Sequence, residues 1–116
     1  MHIKASSTNN LNRNKIEIKC PVTFTLHRIG GRWKPLILYH LIGGKRRYSE
    51  LKREIPAITE KMLIQHLREL EADKLITRKV LPVIPPHVEY SLTKMGKELS
   101  PIMNAMADWG LKYNKK

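Results

Sequence analysis

Apolar residues recur at helical spacing along some stretches of this chain and alternate along others, with prolines, glycines and polar runs between them. Residues 1–18 are polar, include Ser6-Ser7-Thr8-Asn9-Asn10, and are expected to form a mobile arm. Cys20-Pro21 predicts the opening of a helix, because proline is well tolerated at the first helical position, and Gly30-Gly31 predicts its end. A second helix is expected from about Trp33, with Pro35 in its first turn and an apolar face of Leu36, Ile37, Leu38, Leu41 and Ile42, up to Gly43-Gly44. A short basic stretch from Lys45 to Tyr48 leads into a brief helix over Ser49–Ile55. Pro56 stops it, having no amide donor and disfavouring helical backbone in the residue before it.

Thr59 then suits the N-cap of a helix reaching Asp73. Within it Leu63, Leu67 and Leu70 share one face, while Lys61, Ile64, Gln65 and Arg68 lie roughly opposite. Two helices joined by Pro56-Ala57-Ile58 match a helix-turn-helix, whose second helix enters the DNA major groove. The outward residues suit that role. Gln pairs with adenine, Arg and Lys with guanine or phosphate, and an aliphatic group with a thymine methyl. The plainer alternative for this face is a solvated helix surface.

Beyond Lys74, the β-branched and basic run Leu75–Leu81 reads as a strand, Pro82-Val83-Ile84-Pro85-Pro86 as a tip, and alternating Val88, Tyr90 and Leu92 as the return strand. The product is a hairpin wing with Arg78, Lys79 and His87 placed to meet phosphates. Thr93 begins a last helical region, with Ser100-Pro101 as a fresh N-cap and first residue. Met95, Leu99, Ile102, Met106, Trp109 and Tyr113 follow one another at spacings of 4, 3, 4, 3 and 4, the seam of a helix seeking a partner helix, although such a stripe can also be core.

Composition narrows the chemistry. The 116 residues carry 22 Lys+Arg against 10 Asp+Glu, a formal charge of +12 that attracts DNA, RNA or an anionic membrane surface without choosing among them. The charge is not a low-complexity tail: residues 45–54 carry +3 and residues 59–74 carry −1. One cysteine excludes an internal disulfide framework and suits a reducing compartment. No apolar run approaches the roughly 20 residues of a spanning helix, and no signal-peptide order opens the chain, so a cytoplasmic protein is expected. The five histidines are scattered without metal-ligand spacing, and no phosphate loop, nucleophile elbow or carboxylate pair occurs, so neither catalysis, cofactor nor metal is expected. Cys20, at a helix N-terminus beside Lys19, has a physical route to a stabilised thiolate, against the simpler role of a capping or packing residue.

Several ordered motifs together resemble the HxlR-type winged helix-turn-helix regulators. They are Cys20-Pro21-Val22, Ile29-Gly30-Gly31-Arg32-Trp33-Lys34, Arg47-Tyr48-Ser49-Glu50-Leu51, Lys61-Met62-Leu63, Leu67-Arg68-Glu69-Leu70-Glu71-Ala72-Asp73, Pro85-Pro86-His87-Val88-Glu89-Tyr90-Ser91-Leu92-Thr93 and Trp109-Gly110. The resemblance covers about residues 20–110 and implies a bacterial or archaeal homodimer on inverted-repeat operators. Its dimer contact would use the helix after Cys20, with Val22 and Leu26, and the C-terminal helices with the Met95–Tyr113 seam. Some relatives sense oxidants or electrophiles through a cysteine in the Cys20-Pro21-Val22 context. The chain departs from the family pattern at Lys74, where glycine is usual, and at Ile64 and His66, where relatives are often polar.

The expected fold is therefore α+β and mostly helical, a winged helix-turn-helix with N- and C-terminal dimerisation helices over residues 19–114 behind the arm. The expected function is a DNA-binding transcriptional regulator, more often a repressor, with Cys20 as candidate sensor. The DNA-facing set is Arg46, Arg47, Ser49 and Lys52, then Thr59, Lys61, Ile64, Gln65 and Arg68, then Arg78, Lys79 and His87. The alternative from another class is a basic RNA-binding or ribosome-associated protein. One Phe, two Trp and four Tyr, several committed to core or seam, offer little base-stacking surface for it.

Overall fold

The computed structural model describes residues 19–115; the arm expected over residues 1–18 lies outside them. The chain divides after Gly31 into two compact units, so the expected single domain over 19–114 is described in two parts. In the first, α1 (Pro21–Ile29) has Cys20 as N-cap and Pro21 in its first turn, and Val22, Phe24 and Leu26 are exposed along it. Gly31, just beyond, has φ +92°, a left-handed conformation that glycine adopts without steric cost.

The second unit, Arg32–Lys116, runs α2 (Lys34–Ile42), β1 (Arg46–Arg47), α3 (Tyr48–Glu54), α4 (Glu60–Ala72), β2 (Ile76–Leu81), β3 (His87–Leu92), α5 (Lys94–Lys97) and α6 (Ser100–Tyr113). The strands form an antiparallel sheet in the order β1-β3-β2. Arg46 pairs with Tyr90, and Arg78 pairs with the same tyrosine from the other side. One core joins the elements: Ile37, Leu38 and Leu41 of α2, Leu51 of α3, the α4 leucines, Ile76, Tyr90 and Met103 are all buried, with Ile55 and Ile58 from the turn.

Most of these elements follow local rules, and the differences are instructive. The short basic stretch before α3 contains a two-residue strand, whose existence depends on the β3 edge it pairs with. Leu99, not Ser100, caps α6; Ser100 is already helical, which brings Pro101 within the first turn where its missing N–H costs nothing. Among the described residues no helix is long and apolar enough to cross a membrane.

Lys74 ends α4 in a left-handed conformation, φ 62°. The amide of Leu75 reaches back to the carbonyl of Leu70 at 3.0 Å and that of Lys74 to Glu71 at 2.9 Å, a helix-ending motif that ordinarily holds glycine at the left-handed position. Thr93 fastens the same turn, its hydroxyl donating to the Lys74 carbonyl at 2.6 Å. Lysine pays a Cβ clash there that glycine avoids, while glycine loses more freedom on folding. Lys74→Gly should therefore gain roughly 0.5–1 kcal/mol net, a rise in Tm of roughly 2–5 °C by calorimetry. An unchanged or lower Tm would show that the turn carries no strain.

Candidate nucleic-acid interface

The outward face of α4 is set from inside. Leu63, Leu67 and Leu70 are wholly buried, which turns Ile64, Gln65 and Arg68 to the exterior at 100° per residue. The start of the helix is fixed by Thr59, whose Oγ1 accepts the amide of Met62 at 3.1 Å. The start of α3 is held likewise, the Arg47 amide donating to Glu50 Oε1 at 2.7 Å. Between α4, the hairpin and the N-terminus of α3 lies a groove of about 690 Å³. Arg47 and Ser49 line it from α3 and its cap, Ile64, Arg68 and Glu71 from α4, and Arg78, His87 and Val88 from the hairpin.

Three guanidiniums opposed by one carboxylate make a concave surface of positive potential, and arginine forks match phosphate and guanine alike. Tyr48 and Tyr90 also line it. Burial pushes the Tyr48 phenol above its ordinary value, with the nearby charge of Glu60 adding to the effect, so the ring stays neutral in the groove. Neither tyrosine, nor Glu71 or Val88, is in the DNA-facing set expected from sequence, although all four lie within the motifs that carry the family resemblance.

The remaining candidates are placed elsewhere. Arg46 turns inward: its Nε donates to Glu54 at 3.1 and 3.3 Å and its Nη1 to the Gly44 carbonyl at 2.9 Å. Glu54 also holds His40 at 3.1 Å, so this arginine ties α2, β1 and α3 together and does not line the groove. Lys52 Nζ donates to the Pro56 carbonyl at 3.2 Å, across the turn of the helix-turn-helix. Thr59, Lys61 and Gln65 are exposed on α4 or its cap, outside the groove lining. Lys79 pairs opposite Glu89 whereas Arg78 pairs opposite Tyr90, and successive strand residues point to opposite faces. The structure thus separates the two wing cations grouped together from sequence, a separation the period of two already contained.

At the head of α1, the amide of Thr23 lies 3.4 Å from Cys20 Sγ. Hydrogen bonds from Thr23, side chain and then backbone, lower the thiol from its ordinary value; the source is Thr23, not the Lys19 cation that adjacency in sequence pointed to. On α5 and α6, Met95, Ile102, Met106, Trp109 and Tyr113 are exposed, while Met103 faces the core and Leu99 is half-buried. The Trp109 and Tyr113 rings meet at a tilt, 5.1 Å between centroids. Pro101, Ile102, Ala105, Met106 and Trp109 line a shallow apolar hollow on this helix. Among the described residues no group of three or more His, Cys, Asp or Glu is placed to hold a metal ion.

Comparison with known proteins agrees with this geometry. Residues 28–116 match the family described as HxlR-like helix-turn-helix. The chain is 53% identical over 91 residues to the HTH-type transcriptional regulator YybR of Bacillus subtilis (strain 168), covering 78% of this chain and 73% of that one. It superposes on the redox regulator HypR in its oxidised form with a TM-score of 0.80 at 49% identity, covering 84% of this chain and all of the other. The reduced form of the transcriptional regulator YodB from B. subtilis is similar at a TM-score of 0.69 and 36% identity, over 81% and 93% of the two chains. A helix-turn-helix with its leucines buried and its basic face turned to a winged groove, matched at this identity over most of its length, belongs to the HxlR-like helix-turn-helix family of transcriptional regulators.

Proposed function

We propose that the chain acts as a homodimeric repressor on inverted-repeat operator DNA and that oxidants or electrophiles release it through Cys20. The observation that carries the DNA reading is the groove, in which Arg68 of α4 and Arg78 of the hairpin face one cavity with Arg47. Placing α4 in a major groove sets Ile64, Gln65 and Arg68 against base edges and leaves Arg47, Arg78 and His87 for the flanking phosphates. Two copies related by a two-fold axis present two such helices, about 34–36 Å apart, to successive major grooves. Repression is then steric, the bound dimer occupying the site polymerase needs. Dimerisation draws on the exposed apolar faces of α1 and α6. The oxidant response draws on the similarity to HypR and YodB, of which HypR is a redox regulator, and on the lowered Cys20 thiol at a helix N-terminus. With one cysteine per chain, oxidation by diamide would give a Cys20–Cys20 bridge between subunits, or a mixed disulfide with a small thiol.

One titration tests both parts. Duplexes selected by the protein from a random pool are bound at rising salt, with RNA of matching sequence as competitor, with and without diamide, for wild type and Cys20→Ser. Binding should prefer duplex DNA, with log K falling by about 0.9 for each phosphate neutralised. Diamide should release the wild type and leave Cys20→Ser bound. RNA competing as well as duplex would end the DNA reading, and indifference of the wild type to diamide would make Cys20 a structural cap.

A further inference from the structure

Gln65, the candidate base reader on α4, is not left to turn freely. Its Nε2 donates to Glu69 Oε2, one helical turn onward, at 3.4 Å. That carboxylate is gripped from two further sides. Lys34 Nζ lies 2.9 Å from Oε1 and His66 Nδ1 3.2 Å from the same oxygen. Lys34 is the first residue of α2, and its side chain is only 12% exposed, against 43% for Glu69. A lysine ammonium so covered, at the end of a helix where the dipole is positive, needs an anion beside it. The carboxylate that meets this need reaches across from α4, so a residue of the supporting helix fixes a side chain of the helix that would enter the groove.

The consequence for Gln65 is chemical. A side-chain amide carries donors at one end and an acceptor at the other, and a freely turning amide can present either order to a base edge. A carboxylate only accepts hydrogen bonds, so the amide must turn Nε2 toward Glu69 and leave Oε1 and the second Nε2–H in one order. Pairing with adenine requires a donor and an acceptor in that kind of fixed order. The hydrogen bond from Lys34, before any contribution of His66 or Gln65, holds Glu69 below the usual carboxylate range and keeps it an ionised acceptor at neutral pH.

We propose that Lys34 and Glu69 form a positioning relay that fixes the donor–acceptor order of the Gln65 amide, and so sets base preference at that position without either residue touching DNA. The inference rests on the reading of α4 as the base-contacting helix. It goes beyond it in assigning specificity to a pair of residues 35 positions apart, one of them outside the helix-turn-helix.

The test reads a ratio, the Kd for a shuffled duplex over the Kd for a duplex selected by the wild-type protein. Gln65→Ala should lower that ratio about thirtyfold or more, because the proposed dimer loses the contact in both subunits. Glu69→Ala, and the volume-matched Glu69→Met should the alanine variant fold poorly, should lower it by a similar factor, about ten- to thirtyfold. Affinity for shuffled duplex should hold or rise, because an anion has been removed from a DNA-facing helix, and this also reports that the variant is folded. The double variant Gln65→Ala with Glu69→Met should lose no more than Gln65→Ala alone, since both changes remove one function. A Glu69 variant that keeps the ratio, a double variant whose losses multiply, or an equal loss on both duplexes would overturn the relay and leave the DNA reading standing. A Gln65→Ala variant with an unchanged ratio would overturn base reading by Gln65 and the relay together. Salt-dependent duplex binding by the wild type tests the proposed function separately.

Discussion

Arg68→Glu should reduce affinity for a selected duplex by about 10² to 10⁴, measured by fluorescence anisotropy at fixed salt. The estimate counts two copies. Each arginine contact to guanine or phosphate is worth about 1–3 kcal/mol, and a symmetric dimer loses it twice, for about 2–6 kcal/mol before the repulsion of the new carboxylate is added. Arg68 lies on the exposed face of α4, opposite Leu63, Leu67 and Leu70, so the fold should keep its stability to within about 0.5 kcal/mol. Lys79→Glu is the matched control. It makes the same change of charge on the neighbouring hairpin, on the strand face that Arg78 does not share. Its effect should be limited to the general loss of positive charge, screened within about 8–10 Å at ordinary salt. If Lys79→Glu costs as much as Arg68→Glu, the groove is not the binding surface and only net charge matters.

Trp109→Asp should leave a folded chain that sediments as a monomer at micromolar concentration, where the wild type should sediment as the proposed dimer. The indole is 68% exposed within the chain, so its loss removes little from the chain's own core. In a two-fold seam it would be buried against its mate. Removing a buried tryptophan costs about 3–5 kcal/mol, the symmetry counts it twice, and an aspartate facing an apolar surface adds desolvation. That sum is enough to carry a sub-micromolar dimer well beyond micromolar. Met106→Asp, one turn earlier on the same exposed face, should behave alike. Met103→Asp, on the buried face, should instead unfold the chain. A dimeric Trp109→Asp variant, or a monomeric wild type, would remove α6 from the interface. Duplex affinity should fall along with the dimer, because a monomer meets one half-site only.

Much of this architecture is written in local rules. The start of α4 is legible because Thr59 caps it from three residues away, and its buried face because leucines at i, i+4 and i+7 must fall together. The hairpin is legible because alternation and a proline-rich tip leave few other conformations. Lys74 could be noticed as a departure from a family pattern, although its left-handed backbone became visible only with the Leu70–Leu75 hydrogen bond closed around it. The regulator family, too, follows from ordered motifs in the linear chain.

Tertiary structure decided the allocation of charge. Sequence set Arg46, Arg47, Lys52, Arg78 and Lys79 side by side as cations of equal standing, because a charge count has no direction. Folding brings Glu54 beside Arg46, and the guanidinium becomes a tie between helices. Lys52 and Lys79 are set apart by local rules instead, the one reaching the Pro56 carbonyl four residues on, the other placed by the strand period of two on the face that Arg78 leaves. Folding brings Lys34 to Glu69 across 35 residues, and with that contact the hold on Gln65. The two-residue strand β1 exists for the same reason, since only the edge of β3 makes Arg46-Arg47 a strand. Capping, periodicity and turn chemistry act over three to seven residues and can be read in order along the chain. Ion pairs, grooves and strand edges form between segments far apart in sequence, so their partners are settled only once the core has closed.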